Sequence, residues 1–383
     1  MTTQSYTDLA DLIRAGLRRD TWEPEYGSSL AWGDRSSSET IEINLERAPL
    51  VWEPIGTPYL SKPGAAEIQK ALAETGEDLI VLDGFQRMHS RLLLEQGDRY
   101  SYSGLGTLAV GGLRLRPGTA LSMQEALLPP MVQRCLLLSN NYRLSQSETA
   151  MPGLPYPFVH CTYQESPDDG TNTNENAQRG PEQALQQAMR SAEKDYLEHC
   201  LQETEQQQTP AIFLVDGPLP RYSTSYTTKT ASPPTRPAQR SSLSTVVGYI
   251  KTLHTRYLPP EQHQVLYALR AGQRSPLFRM GDKQISWYMS LANPEPMDTA
   301  LAGIVRLEVL SHQVQANIAP VQALADRLAR ILPALTLSRH EDPRAPQNLL
   351  PIHTLEKQLK MRMGHQRLIQ RCIQDYFQQQ DLS

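Results

Sequence analysis

DLIVLDG, residues 78–84, is a short apolar run that closes on an aspartate and a glycine. Its length, its branched side chains and the glycines that bound it, Gly76 and Gly84, make it a buried strand rather than a helix. A carboxylate at the end of such a run is costly to bury unless a partner satisfies it. The same phrase returns as AIFLVDG, residues 211–217, set off by Pro210. Side chains at strand ends in open α/β sheets leave the core and meet a crevice, which is where ligands bind. Asp-Gly is also an ordinary turn dipeptide, but here it follows two buried strands. Carboxylates brought together from adjacent strands repel, and a hard divalent cation with its preference for oxygen ligands removes that repulsion. Pairs of such ions are a common device for hydrolysing phosphodiesters. Asp83 and Asp216 are therefore candidate metal ligands.

Outward from these runs, EIQKALAETG (67–76) reads as a helix ending at Gly76. The polar EQGDR (95–99) is a turn signal between strand-like flanks, so three consecutive strands in an antiparallel meander are expected. ALLPPMVQRCLLLSNNYRLS (126–145) reads as a helix with prolines at its start. Residues near 145–180 and 222–243 are polar, rich in Gly, Pro, Asn and Ser, and read as loop insertions. Between them, PEQALQQAMRSAEKDYLEHCLQE (181–203) has apolar residues at helical spacing behind Pro181. STVVGYIKT (244–252), PLFRMGDKQISWYMSLA (276–292) and GIVRLEVL (303–310) supply further strands, and helices close the chain. Residues 1–75 read as a helical N-terminal extension, opening with a short amphipathic helix, and residues 76–383 as the main domain. The expected class is α/β, a mixed sheet of three antiparallel strands and then parallel strands, flanked by helices.

Composition narrows the choice of function. The 383 residues are 39% hydrophobic and 20% charged, with a formal net charge of −4, so a nucleic-acid site would have to be a local basic groove. No apolar run reaches the roughly 18 residues of a membrane span, and the first residues lack the apolar core of a signal peptide, so a cytoplasmic protein is expected. Cys135, Cys161, Cys200 and Cys372 are far apart and form no CxxC pair, which reads as reduced thiols rather than a zinc site or disulfide framework. Walker, HExxH and GxSxG motifs are absent. GLGTLAVGG (104–112) contains GxG without a following helix and reads as a glycine-loosened strand.

Two metal sites need a third carboxylate. The helix before AIFLVDG offers Glu193 and, nearer its loose end, Glu198; both also suit a solvated helix face. Glu308, inside the apolar GIVRLEVL, is another candidate and equally a partner for Arg306. Lys251 leaves a strand, where an ammonium can hold a phosphate as a point charge. Arg87, Arg91 and Arg221 lie just past the two Asp-Gly pairs, and the last two helices add more positive charge.

DGFQRMHSRLLL, YSYSGLGTLAVGGLRL, FLVDGPLPR, VVGYIK and LLPIHTLEKQL, in that order, resemble the NurA family of DNA-end-processing nucleases, partners of ring-shaped HerA translocases. The resemblance runs from about residue 77 to the C-terminus. It implies an RNase H-like fold, a homodimer, DNA as substrate, a HerA-like hexameric ATPase as partner, and dependence on Mn2+ or Mg2+. It assigns metal binding to Asp83, Asp216 and a helix glutamate, Glu193 first and Glu198 second. It also assigns a catalytic histidine in a helix after a proline, for which His353 behind Pro351 is the candidate. The family usually has a serine after each Asp-Gly; here Phe85 and Pro218 stand in those places. The expected function is metal-dependent DNA cleavage, with Lys251 neutralising the scissile phosphate and His353 positioning water or carrying a proton. The rival expectations are a non-catalytic adaptor of a HerA-like ATPase and an actin-like phosphotransferase.

Overall fold

A computed structural model describes residues 4–19, 41–42, 45–46, 52–74, 76–96, 99–118, 126–164, 180–219, 243–253, 257–281, 284–295, 301–310, 317–338, 340, 342 and 345–381. Strand β1 (Gln4–Tyr6), helix α1 (Leu9–Arg14), strands β2 (Leu17–Arg19) and β3 (Ile41–Glu42) and helix α2 (Ala65–Ala73) come first. Two long strands follow, β4 (Asp78–Gln96) and β5 (Arg99–Leu115). Then come β6 (Met131–Ser139), β7 (Tyr142–Leu144), β8 (Glu148–Thr149) and β9 (Phe158–Tyr163). Helix α3 (Gly180–Gln206) leads into β10 (Ala211–Asp216) and β11 (Thr245–Ile250). Helix α4 (Gln264–Ala268) and strands β12 (Phe278–Met280), β13 (Gln284–Ser290) and β14 (Ile304–Leu310) precede helices α5 (Ala319–Ile331), α6 (Leu350–Arg362) and α7 (Gln366–Asp381).

Twelve strands of the described residues form one mixed sheet in the order β3-β12-β13-β14-β11-β10-β4-β5-β6-β9-β8, with β2 added beside the far half of β4, and β1 pairs with β7 in a separate two-stranded sheet. Strands β4, β5 and β6 make an antiparallel meander, β10 runs parallel to β4, and β11 runs parallel to β10. Helices cover both faces. Leu79 and Val81 of β4 pack with Leu324 and Leu328 of α5 and Ile352 of α6. Ile80 and Leu82, pointing the other way by the period of two, pack with Leu197 and Cys200 of α3. Each such leucine contributes about 1.5–3 kcal/mol by leaving water. The protein is thus a mixed α/β molecule with a large sheet between helices. Among the described residues no helix is long and apolar enough to cross a membrane.

Several expectations change. The first run does not stop at Asp83: β4 continues through Gly84 to Gln96, so the run at 78–84 and the strand-like flank before the EQGDR turn, expected as two strands of the meander, are one strand. MVQRCLLLS is strand β6 and not helix: it lies between β5 and β9, buried on both faces, and a short apolar run carries no period that separates the two states. The stretch expected to be a helical extension holds α1 and α2, but it also supplies β1, β2 and β3 to sheets. The first polar stretch contains β8 and β9. The second, with Arg221, lies outside the described residues.

Candidate active site

The register of β4 and β10 ends on the pair Leu82 and Val215. One residue further on, Asp83 and Asp216 stand side by side. In-register residues on parallel neighbours point to one face, with the strands about 4.8 Å apart. Strand β10 then stops, and the chain turns at Gly217, whose φ is 104° and whose N–H donates to Tyr249 O at 2.8 Å. Strand β4 runs on, and among the described residues no strand pairs with its β10-side edge between Asp83 and Leu92, where β2 joins it.

Asp83 is 7% exposed. Burial pushes its carboxyl well above the usual carboxylate range, and Asp216 pushes it further; Glu356 and Glu193 add to this while Lys251 opposes it. Lys251, at the end of β11, donates to Asp216 Oδ2 at 2.8 Å. Burial alone would lower its ammonium pKa, but Asp216, Asp83 and Glu356 outweigh that and hold it above the ordinary value. Three carboxylates, Asp216, Asp83 and Glu356, therefore act on one ammonium.

A hydrogen-bonded chain leads away from this centre. Lys251 Nζ donates to Asn348 Oδ1 at 3.2 Å, and Asn348 Nδ2 donates to Asp342 Oδ2 at 2.6 Å. The same Asp342 oxygen lies 3.1 Å from His353 Nδ1. A carboxylate oxygen only accepts, so Nδ1 is the donor in this contact, and in the neutral tautomer that fits it Nε2 is the acceptor. Asp342 and Asn348 are both buried. Helix α6 is tied down by Ile352, Leu355 and Leu359, which recur at helical spacing on its buried side. His353, Glu356 and Lys360 repeat the same spacing one residue along, so they share the adjoining stripe.

Helix α3 approaches from the other face. The Glu193 side chain lies against Gly84: a Cβ there would stand 3.0 Å from Glu193 Cδ and Cγ. Of the two glutamates considered on this helix, Glu193 adds to the field on Asp83. Glu308 has a different task. It is wholly buried, accepts from Leu219 N at 2.6 Å and pairs with Arg306 at 2.8 Å, which anchors the chain just after Pro218. Of the arginines, Arg91 pairs with Glu182 of α3. Arg87 is half-buried, its guanidinium carbon 5.7 Å from the Phe85 ring centre, and Lys360 Nζ stands 4.6 Å from the same ring.

The sequence reading passed over Glu356, Asp342 and Asn348. A signal existed for Glu356, which follows His353 by three and so faces the same way on a helix. Asp342 and Asn348 lie between α5 and α6 and reach the centre only through the fold. Among the described residues no group of three or more His, Cys, Asp or Glu side chains is drawn together as a ready metal cage. The chemistry of the donors still fits a hard cation: they are all carboxylates, and they outnumber Lys251 and Lys360, the lysines that pair with them. In comparisons with known proteins, no family model matches the chain and no curated protein matches it as a relative.

Proposed function

We propose that the protein is a divalent-metal-dependent deoxyribonuclease with an RNase H-like centre. The observation that supports this reading is the pair Asp83 and Asp216, one residue past the last registered pair of two parallel strands, with Lys251 paired to Asp216 and with Glu356 and Glu193 adding to the field on Asp83. Asp83, Asp216 and Glu193, with Glu356 as a fourth oxygen donor, are the residues that would hold Mn2+ or Mg2+. The bound cation would supply Lewis acidity toward a phosphoryl oxygen and neutralise developing charge. Lys251 balances negative charge beside Asp216, a role that extends to a phosphate oxygen at the same place. His353, oriented by Asp342, offers Nε2 as a proton acceptor. The resemblance to NurA nucleases adds DNA ends as the setting, a HerA-like hexameric ATPase as partner and a second copy of the chain as the assembly.

The test is cleavage of single- and double-stranded DNA by the purified full chain with manganese, compared with Asp83→Asn. We expect cleavage by the wild type and a loss on the order of a hundredfold or more in the variant. A second reading, a non-catalytic adaptor on the same fold, is favoured by one observation: Lys251 pairs directly with Asp216 and balances its charge. Wild-type protein that leaves DNA intact under these conditions selects the adaptor.

A further inference from the structure

Arg87, Thr107 and Arg134 form a row across β4, β5 and β6, each directly opposite the next. Directly opposed residues point to one face, and the alternation 83, 85, 87 makes it the face of Asp83. Five buried arginines occur among the described residues. Arg91, Arg114, Arg274 and Arg306 each face a carboxylate, from Glu182, Asp78, Glu46 and Glu308 respectively. Arg134, 5% exposed, faces none. Its Nη1 donates to Tyr156 O at 2.9 Å, its guanidinium lies 5.8 Å from the Tyr156 ring centre, and its buried Nε has no partner. Beside it, His89 Nε2 bonds Thr107 Oγ1 at 2.8 Å, and its buried Nδ1 also has no partner. Burial, then Arg87 and Arg134, lowers this imidazole to about 3, so it stays neutral and adds a polar atom without a second charge.

A buried cation without a counter-charge is costly, and a guanidinium is matched to planar or tetrahedral oxyanions through paired N–H donors. We propose that Arg87 and Arg134, on either side of the buried Thr107, bind a backbone phosphate of the nucleic-acid strand whose scissile bond lies at Asp83. This rests on the nuclease reading. Arg87 stands four strand residues from Asp83, about 13 Å along β4, a short step along a nucleic-acid backbone. Phe85 lies between them and holds both Arg87 and Lys360 near its ring, which lines the way with positive charge.

The test uses the full chain with EDTA and a short fluorescent single-stranded oligonucleotide, followed by anisotropy over a range of salt. Arg87→Ala and Arg134→Met are each expected to weaken binding about tenfold. Each should also lower the slope of log affinity against log salt by about 0.7, the value of one lost phosphate contact on single strands. Arg134→Met should at the same time raise the melting temperature, since it removes an uncompensated buried charge; a purely structural arginine would lower it. Lys70→Ala, an exposed lysine on α2, should change neither. Inorganic phosphate should compete with the oligonucleotide better than acetate at equal ionic strength. Unchanged affinity and salt slope in both arginine variants, or equal competition by the two anions, overturns the phosphate site. Manganese-dependent cleavage by the wild type is scored separately. Lost binding in the variants of a chain that never cleaves keeps the site and removes the nuclease reading.

Discussion

At Asp83-Gly84 the strand passes straight through and continues to Gln96; at Asp216-Gly217 the strand ends and the chain turns. The dipeptide is the same and so is the apolar run before it. Gly217 is needed for its backbone, since φ of 104° belongs to the region where a Cβ is strained. Gly84 is needed for its emptiness, because the Glu193 side chain occupies the space a Cβ would take. The aspartates differ as well. Asp216 has Lys251 at 2.8 Å, whereas Asp83 is buried among like charges and bonds only the N–H of the next residue at 2.9 Å among its described hydrogen bonds. One carboxylate is charge-compensated and the other is held under electrostatic stress.

Asn substitutions should break this comparison most strongly. Asp216→Asn removes the partner of a buried lysine and should cost about 2–4 kcal/mol. Asp83→Asn should do the reverse in metal-free protein and raise the melting temperature at neutral pH. The sign follows from linkage. A carboxyl whose folded pKa is raised binds a proton that the unfolded chain releases, so its contribution is favourable at low pH. That contribution is lost as pH rises from the ordinary value of 3.8 through the folded one. The gain from Asp83→Asn should therefore shrink as pH falls toward 3.8. Thermal melts in EDTA across pH check both variants, and an Asp83→Asn protein less stable than wild type at neutral pH contradicts the contrast.

The glycines offer a finer division. Gly217→Ala should lose about 1–3 kcal/mol in urea unfolding, because the strained backbone cannot relax. Gly84→Ala should lose less than about 1 kcal/mol, since the far end of a flexible glutamate can swing aside. Its effect should appear in catalysis instead. Manganese-dependent cleavage should fall about tenfold, more than in Gly217→Ala at equal folded fraction, because Glu193 is displaced from the centre. Equal activity losses in the two alanine variants would falsify the assignment of different tasks.

Much of the fold could be read from local pattern. The runs at 78–84, 211–217, 245–250 and 304–310 and the helix from 180 announce themselves by period and by bounding glycine or proline. The strand at 131–139 could not, since its apolar residues carry no period that separates strand from helix and its state was fixed by neighbours on either side. Asp83 and Asp216 were visible as an oddity, polar residues closing buried runs. Asp342, Asn348 and Arg134 were not: RHEDPR and MVQRC look like solvated charge in a chain, and only pairing shows which polar groups lie inside.

The sequence alone determined the strands at 78–84, 211–217, 245–250 and 304–310 and that two of them carry an acid where a core residue would be expected, because local period and the cost of burying charge are properties of the chain itself. The tertiary structure decided which face each acid points to, which of several glutamates approaches, and which arginine is left without a counter-charge. Those outcomes depend on register between strands far apart in sequence, where a shift of one residue moves every side chain to the opposite face.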